Sequence, residues 1–178
     1  KGNPVFNYDL TYTRLVSVLF SCLTVILVIL IGWKYISPFV GIIAGLIFSM
    51  LPLAVGYSQI ATLESLILFF FTAAIFSFFN FLDVYSKKNI ILAGVFLGLA
   101  FGVKYTNILL APLIILIYLL WYFHVKKYGK IKESYLKGVL GIFLVSFLTF
   151  FAIWPMPFFH LKEAIDYSYS LRILPNKY

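Results

Sequence analysis

Residues 13–32 read TRLVSVLFSCLTVILVILIG, and Arg14 is the one charged side chain among them. A helix of about 20 residues crosses the hydrocarbon core of a bilayer, which is about 30 Å thick. Lipid offers the backbone no hydrogen-bonding partner, so an open strand is excluded there. The alternation of apolar and polar residues that a membrane barrel requires is absent. This stretch therefore predicts a transmembrane α-helix.

Similar apolar blocks fill the rest of the chain. Hydrophobic residues make up 63% of the sequence and charged residues only 11%, against roughly half and a quarter in soluble proteins. The sequence predicts an all-α integral membrane protein with one transmembrane domain over residues 1–178, a bundle of about six transmembrane helices. We place these near residues 13–32, 38–56, 64–82, 89–103, 106–123 and 137–154. Because the chain starts without methionine and close to a span, we expect an internal fragment of a larger multi-span protein.

The apolar run from Ile90 to Phe123 could be one helix or two. As one helix it would be roughly 50 Å long with Lys104 near its middle. Two helices joined at residues 102–107 place that charge at a surface, so the sequence predicts two.

An interfacial helix is predicted after the last span, which Pro155 and Pro157 end. Phe158 to Leu174 has the apolar spacing of a helix in the outer membrane interface. Its apolar positions are Phe158, Leu161, Ile165, Tyr169 and Ile173, and Lys162, Glu163 and Asp166 lie between them.

The lysines predict an orientation. With six spans, one side of the membrane receives most of the basic residues: Lys34, Lys87, Lys88, Lys126, Lys127, Lys130, Lys132 and Lys137, against Asp83 and Glu133. The positive-inside rule makes that side, including the Lys126–Lys137 loop, cytoplasmic and both chain ends extracytoplasmic. The net charge of +8 lies in short loops between apolar blocks, so we expect membrane lipids and no nucleic acid as partners.

Few residues are candidates for chemistry, because the chain has no metal-spaced cluster, nucleotide-binding glycine loop or serine triad. Charges at the outer ends of spans are costly and suggest function. Glu64 follows Thr62 at the start of the third span. Thr62 could cap that helix and Glu64 could complement its positive end; alternatively, Glu64 points into an outer cavity to orient a substrate or hold a divalent metal.

Lys104 has two interpretations as well. It could reach lipid headgroups as an ordinary interfacial lysine, or it could end a helix as an anion site for a lipid phosphate. The residues Gly94, Gly98 and Gly102 recur at every fourth position and predict close approach of another helix. Arg14 stands at the outer start of the first span, where it could bind the same anion or simply anchor the helix.

Taken in order, these segments resemble the polyprenyl-phosphate-sugar-dependent glycosyltransferases of the GT-C class, in particular the protein O-mannosyltransferase and aminoarabinose-transferase group. The resemblance covers nearly the whole chain. The residues that carry it are Arg14, Pro52, Ser58, Glu64, Leu66, Phe69, Phe70, Gly98-Leu99-Ala100, Lys104-Tyr105, Trp154-Pro155, Pro157 and Leu161. The sequence departs from the family at Gln59, where the family commonly has arginine.

The resemblance implies an inverting enzyme that takes a sugar from a polyprenyl- or dolichyl-phosphate donor on the extracytoplasmic face, in the cell or endoplasmic reticulum membrane. It implies that Lys104, Arg14, Glu64 and Tyr105 bind the donor phosphate or line the cavity. The catalytic aspartate of the family would lie before Lys1, outside this chain, since Asp9 is too close to Arg14. The alternative is a non-catalytic membrane subunit or transporter component, in which Lys104 and Glu64 bind lipid or partner helices.

Overall fold

The computed structural model describes residues 11–60, 62–128 and 134–154, and these form seven α-helices and a short 3₁₀ helix. No residue in these three ranges lies in a strand, which confirms the predicted all-α fold. The helices are α1 (Thr11–Tyr35), α2 (Pro38–Met50), α3 (Pro52–Gln59), α4 (Glu64–Asp83), α5 (Lys87–Val103), the 3₁₀ helix (Tyr105–Leu109), α6 (Leu110–Tyr128) and α7 (Ser134–Ile153).

Prolines set two helix starts. Pro38 lies in the first turn of α2, and the hydroxyl of Ser37 accepts a hydrogen bond from the Val40 backbone N–H. Pro52 interrupts the predicted span 38–56, so that prediction is wrong as a single continuous helix. The ring of Pro52 excludes a helical Leu51, which is extended at φ −64° and ψ 121°. Helices α2 and α3 consequently meet at a bend of 61°.

Successive helices, with α2 and α3 taken together, run back and forth between two ends of the bundle. We call one the lysine end, where Lys34 of α1 pairs with Asp83 of α4 and the ring of Tyr85 contacts that of Tyr135. We call the other the site end, where the Ser17 hydroxyl donates to the Thr62 carbonyl. The broken pair α2–α3 joins the two ends, because Ser37 before α2 donates its N–H to the Gly32 carbonyl and the Tyr57 carbonyl of α3 accepts from Ser65 near the start of α4.

The number of membrane spans is lower by length and composition than the predicted six. Within the described ranges, α1, α4, α6 and α7 are long and apolar enough to cross a membrane, and the bent pair α2–α3 could add a fifth span. Helix α5 is the one that falls short, with 17 residues and a length of about 25 Å. The division of residues 90–123 into two helices is confirmed, because α5 ends at Val103 and α6 begins at Leu110.

Close packing of α5 on α7 confirms the predicted role of Gly94 and Gly98 but not that of Gly102. A methyl group on Gly98 would lie 2.6 Å from the Ser146 carbonyl oxygen, and one on Gly94 would lie 2.8 Å from that of Ile142. At Gly102 the nearest atom, on Ile153, would be 3.5 Å away, an ordinary contact. The buried core beside this contact includes Phe78, Phe81, Leu97, Leu110, Ile114 and Ile142.

Apolar side chains also cover the outside of the bundle. Leu120, Leu140 and Leu144 are each more than 60% exposed, as expected of helices whose outer faces contact lipid. The chain is thus an integral, multi-pass membrane protein. The predicted interfacial helix from Phe158 to Leu174 lies outside the described residues, as does residues 129–133 of the Lys126–Lys137 loop.

Candidate functional site

The structure brings together two of the four predicted site residues. At the site end, the Lys104 ammonium donates to Glu64 Oε1 over 2.8 Å, although the two residues are 40 positions apart in the chain. Their side chains are 40% and 36% exposed. The pair is therefore accessible to a ligand, and Lys104 does not extend into surrounding lipid by itself.

Glu64 owes its position to the start of α4. It is the first residue of that helix, where a carboxylate complements the partial positive charge of the free N–H groups. The suggestion that Thr62 caps this helix is wrong, because the capping position is Leu63 and no side chain bonds there. The helix begins one residue too late for Thr62, whose buried hydroxyl has no partner in the described structure.

Hydroxyl groups hold the loop before Glu64 against α1. The Ser21 hydroxyl lies 3.1 Å from that of Ser65, which in turn donates to the Tyr57 carbonyl over 3.3 Å. One turn closer to the site end, Ser17 donates to the Thr62 carbonyl over 3.4 Å. In a membrane such hydrogen bonds between helices replace lost contacts with water. They fix the loop that leads into Glu64 at the start of α4.

Asn107 holds the other half of the pair, and the sequence reasoning gave it no role. Its side chain is only 6% exposed, and its amide N–H donates to the Ala100 carbonyl over 2.7 Å. Its backbone N–H donates to the Lys104 carbonyl over 3.0 Å. Asn107 thereby closes the last turn of α5, whose carbonyls would otherwise lack partners. An asparagine in the turn after a glycine-striped helix was the available signal.

The other two predicted residues are less closely connected. Arg14 is exposed and lies three and seven positions before Ser17 and Ser21, so it shares their α4-facing side of α1. The structure records no ion pair for Arg14 within the described ranges. Tyr105 opens the 3₁₀ helix beside Lys104, and its side chain is outside the described structure.

A divalent metal was one alternative for Glu64, and the described residues around it offer few ligands. No group of three or more His, Cys, Asp or Glu residues that could hold an ion occurs in residues 11–60, 62–128 and 134–154. Glu64 would be a single carboxylate, and a lysine ammonium already faces it. The described part of the site therefore does not fit a metal ion, and we assign no step to one.

Comparison with known families identifies the relatives of this bundle. Residues 2–154 match the family described as dolichyl-phosphate-mannose-protein mannosyltransferase. The chain belongs to that family. The match to the mannosyltransferase family confirms the resemblance, and its range of residues contains Arg14, Glu64, Lys104 and Tyr105. This family consists of membrane glycosyltransferases whose donor is a sugar linked to dolichyl phosphate. No curated protein and no solved structure matches the chain.

Proposed function

We propose that this chain forms part of an inverting GT-C glycosyltransferase, which moves a sugar from a polyprenyl- or dolichyl-phosphate donor to an acceptor on the extracytoplasmic face. The catalytic aspartate would be supplied from outside this chain. The observation that carries the proposal is the accessible Glu64–Lys104 pair at the site end of a family member. Lys104 is the proposed ligand of the donor phosphate.

The charge distribution supports the extracytoplasmic location. Among the described residues, the lysine end has five lysines against Asp83, whereas the site end has Arg14 and the pair Glu64–Lys104, whose charges balance. The five lysines are Lys34, Lys87, Lys88, Lys126 and Lys137. Lysines close to span ends favour the cytoplasmic side. The six-span topology, with α5 and the α2–α3 pair each counted as one crossing, agrees with this orientation and is part of the proposal.

The chemistry of the reaction explains why a lysine is useful at this place. A sugar bound to a lipid phosphate is a phosphodiester with one negative charge. When the acceptor oxygen attacks the anomeric carbon and the bond to phosphate oxygen breaks, the leaving lipid phosphate gains a second negative charge. An ammonium held beside that phosphate stabilises the transition state more than the ground state. The acceptor proton passes to the catalytic base.

Glu64 has a supporting role in this scheme. Its carboxylate orients the Lys104 ammonium and satisfies one of its three N–H donors at the membrane surface. The exposed part of the lysine side chain remains within reach of a phosphate. Arg14, in the part of α1 at the site end, is the proposed second cation of the phosphate site. A guanidinium can bind phosphate with two parallel hydrogen bonds.

The test is sugar transfer by the full-length protein in liposomes, from a polyprenyl-phosphate sugar. Lys104→Ala removes a charge-assisted contact of about 1.5–3 kcal/mol, so we expect a roughly ten- to hundredfold loss of transfer. Lys104→Arg should restore only part of it, because a planar fork does not replace a compact ammonium. Lys137→Ala is the matched control, since it removes the same charge from the lysine end.

Two results would contradict the proposal. Wild-type transfer by Lys104→Ala, at matched expression, would remove Lys104 from the phosphate site. No transfer by the wild type from any polyprenyl-phosphate sugar would favour the alternative of a non-catalytic subunit. In that case the Glu64–Lys104 pair would serve to join α4 to α5.

A further inference from the structure

A second charged cluster lies at the opposite end of the bundle. The Lys34 ammonium is 2.7 Å from Asp83 Oδ2, and the Tyr35 hydroxyl donates to the same oxygen over 2.9 Å. Lys34 also donates to the side-chain oxygen of Asn80. The Lys34 and Asp83 side chains are 42% and 41% exposed. The cluster connects the last turn of α1 to the last turn of α4.

This cluster is only partly saturated. Both recorded contacts of the Asp83 carboxylate use Oδ2, so in the described structure Oδ1 can accept from a further donor. Lys34 has three N–H donors, and the contacts above use two of them. A cationic and an anionic partner could therefore bind the cluster at the same time, one on each side chain.

A groove adjoins the cluster and shares Tyr35 and Asp83 with it. It has a volume of about 340 Å³ and lies between α1, α4 and α6. Its lining consists of Tyr35, Phe79, Asp83, Ile117, Leu120 and Trp121, together with Leu82. Leu120 is 63% exposed, so the groove is open to the surroundings of the helix. Apart from Asp83 and the tyrosine hydroxyl at its mouth, the groove is apolar.

We infer that this groove binds one membrane phospholipid with a zwitterionic, primary-ammonium headgroup. The ammonium would donate to Asp83, the phosphate would accept from Lys34, and one acyl chain would follow Phe79, Ile117 and Leu120. Charge complementarity favours this chemistry, because an anionic headgroup could place its phosphate on Lys34 but would bring no ammonium to donate to Asp83. A quaternary ammonium lacks N–H donors and could not form a hydrogen bond from the lipid to Asp83 Oδ1.

Native mass spectrometry of the detergent-purified full chain tests the inference. Phosphatidylethanolamine, phosphatidylcholine and phosphatidylglycerol with identical acyl chains would be titrated separately. We expect phosphatidylethanolamine to bind about tenfold or more tightly than the other two, as one charge-assisted hydrogen bond predicts. Asp83→Asn should abolish the preference over phosphatidylcholine. Lys34→Gln should weaken the binding of both phosphatidylethanolamine and phosphatidylcholine, because both lipids carry the phosphate.

A pair of leucine variants tests the groove without disturbing the charges. Leu120→Trp fills the groove and should reduce phosphatidylethanolamine binding about tenfold, as loss of an acyl-chain contact of a few methylenes predicts. Leu140→Trp is the matched control, because Leu140 on α7 is also 63% exposed but lies outside the groove. Equal affinities for the three lipids, or unchanged binding in Leu120→Trp, would overturn the inference. It does not depend on the proposed transferase activity.

Discussion

Replacing glycine by alanine at two positions of α5 should have opposite effects on stability, because only one of the two glycines lies in the close contact with α7. In Gly98→Ala the new methyl group would lie 2.6 Å from both the Ser146 carbonyl oxygen and the Thr149 Cβ. Ordinary contacts begin near 3.4 Å, so the helices must separate by most of an ångström. The carbonyl belongs to the α7 backbone and cannot rotate away as a side chain could.

The magnitude follows from packing costs. Overpacking a close contact costs about 1–3 kcal/mol, and alanine recovers up to about 1 kcal/mol through its better helix propensity. Gly98→Ala should therefore lower the free energy of unfolding by up to about 2 kcal/mol, which is the larger packing cost less the propensity gain. In Gly102→Ala the methyl group meets Ile153 at 3.5 Å, so only the propensity gain remains and this variant should match or exceed the wild type.

Unfolding of the purified chain by sodium dodecyl sulfate in mixed micelles, followed by circular dichroism, measures both changes. Gly56→Ala is a further control, since a methyl group there meets nothing within 4 Å. If Gly98→Ala proves as stable as Gly102→Ala, the close approach of α5 and α7 is not a feature of the folded protein.

Two further predictions concern topology and the site. In a Cys22→Ala background, a cysteine introduced at Gln59 should react with an impermeant thiol reagent in intact cells, whereas one introduced at Lys126 should not. The reason is that the lysine end is the proposed cytoplasmic side. The reverse labelling pattern would refute the orientation. Asn107→Ala removes the buried 2.7 Å hydrogen bond to the Ala100 carbonyl and should cost about 1–3 kcal/mol of stability. Asn107→Ala should also reduce sugar transfer, because the turn that holds Lys104 is lost. Asn107→Asp keeps the size of the side chain but not its N–H donor, so it should restore neither stability nor transfer. Full activity in both variants would exclude Asn107 as a positioning residue.

Local features of the fold were predictable from residues close together in the chain. Apolar length predicted the helices, and Pro38 predicted the start of α2 because its missing N–H is not needed there. The break at Pro52 carried the same kind of signal, yet the apolar run around it suggested one span. A proline inside an apolar block predicts an interrupted helix unless a neighbouring group can donate to the freed carbonyl.

The site could be predicted only as a set of candidates. The positive-inside rule assigned Glu64 and Lys104 to the same side, but their contact depends on the rotation of α4 and α5 about their axes. For α5 the glycine contacts with α7 join residues far apart in sequence, whereas the Asn107 turn is a local contact that fixes the end of that helix. The pairing of Lys34 with Asp83 escaped prediction for the same reason, since both were treated only as charges at a membrane surface.

The separation of Glu64 and Lys104 along the chain also has a consequence during synthesis. A ribosome adds about 5–20 residues per second, so the 40 positions between the two correspond to roughly 2–8 s. During that interval the carboxylate at the start of α4 has emerged without the ammonium that later neutralises it. The serine contacts with α1 are available at once, because Ser17 and Ser21 precede Glu64 in the chain. The earlier helices can therefore hold the start of α4 in place until Lys104 has been synthesised.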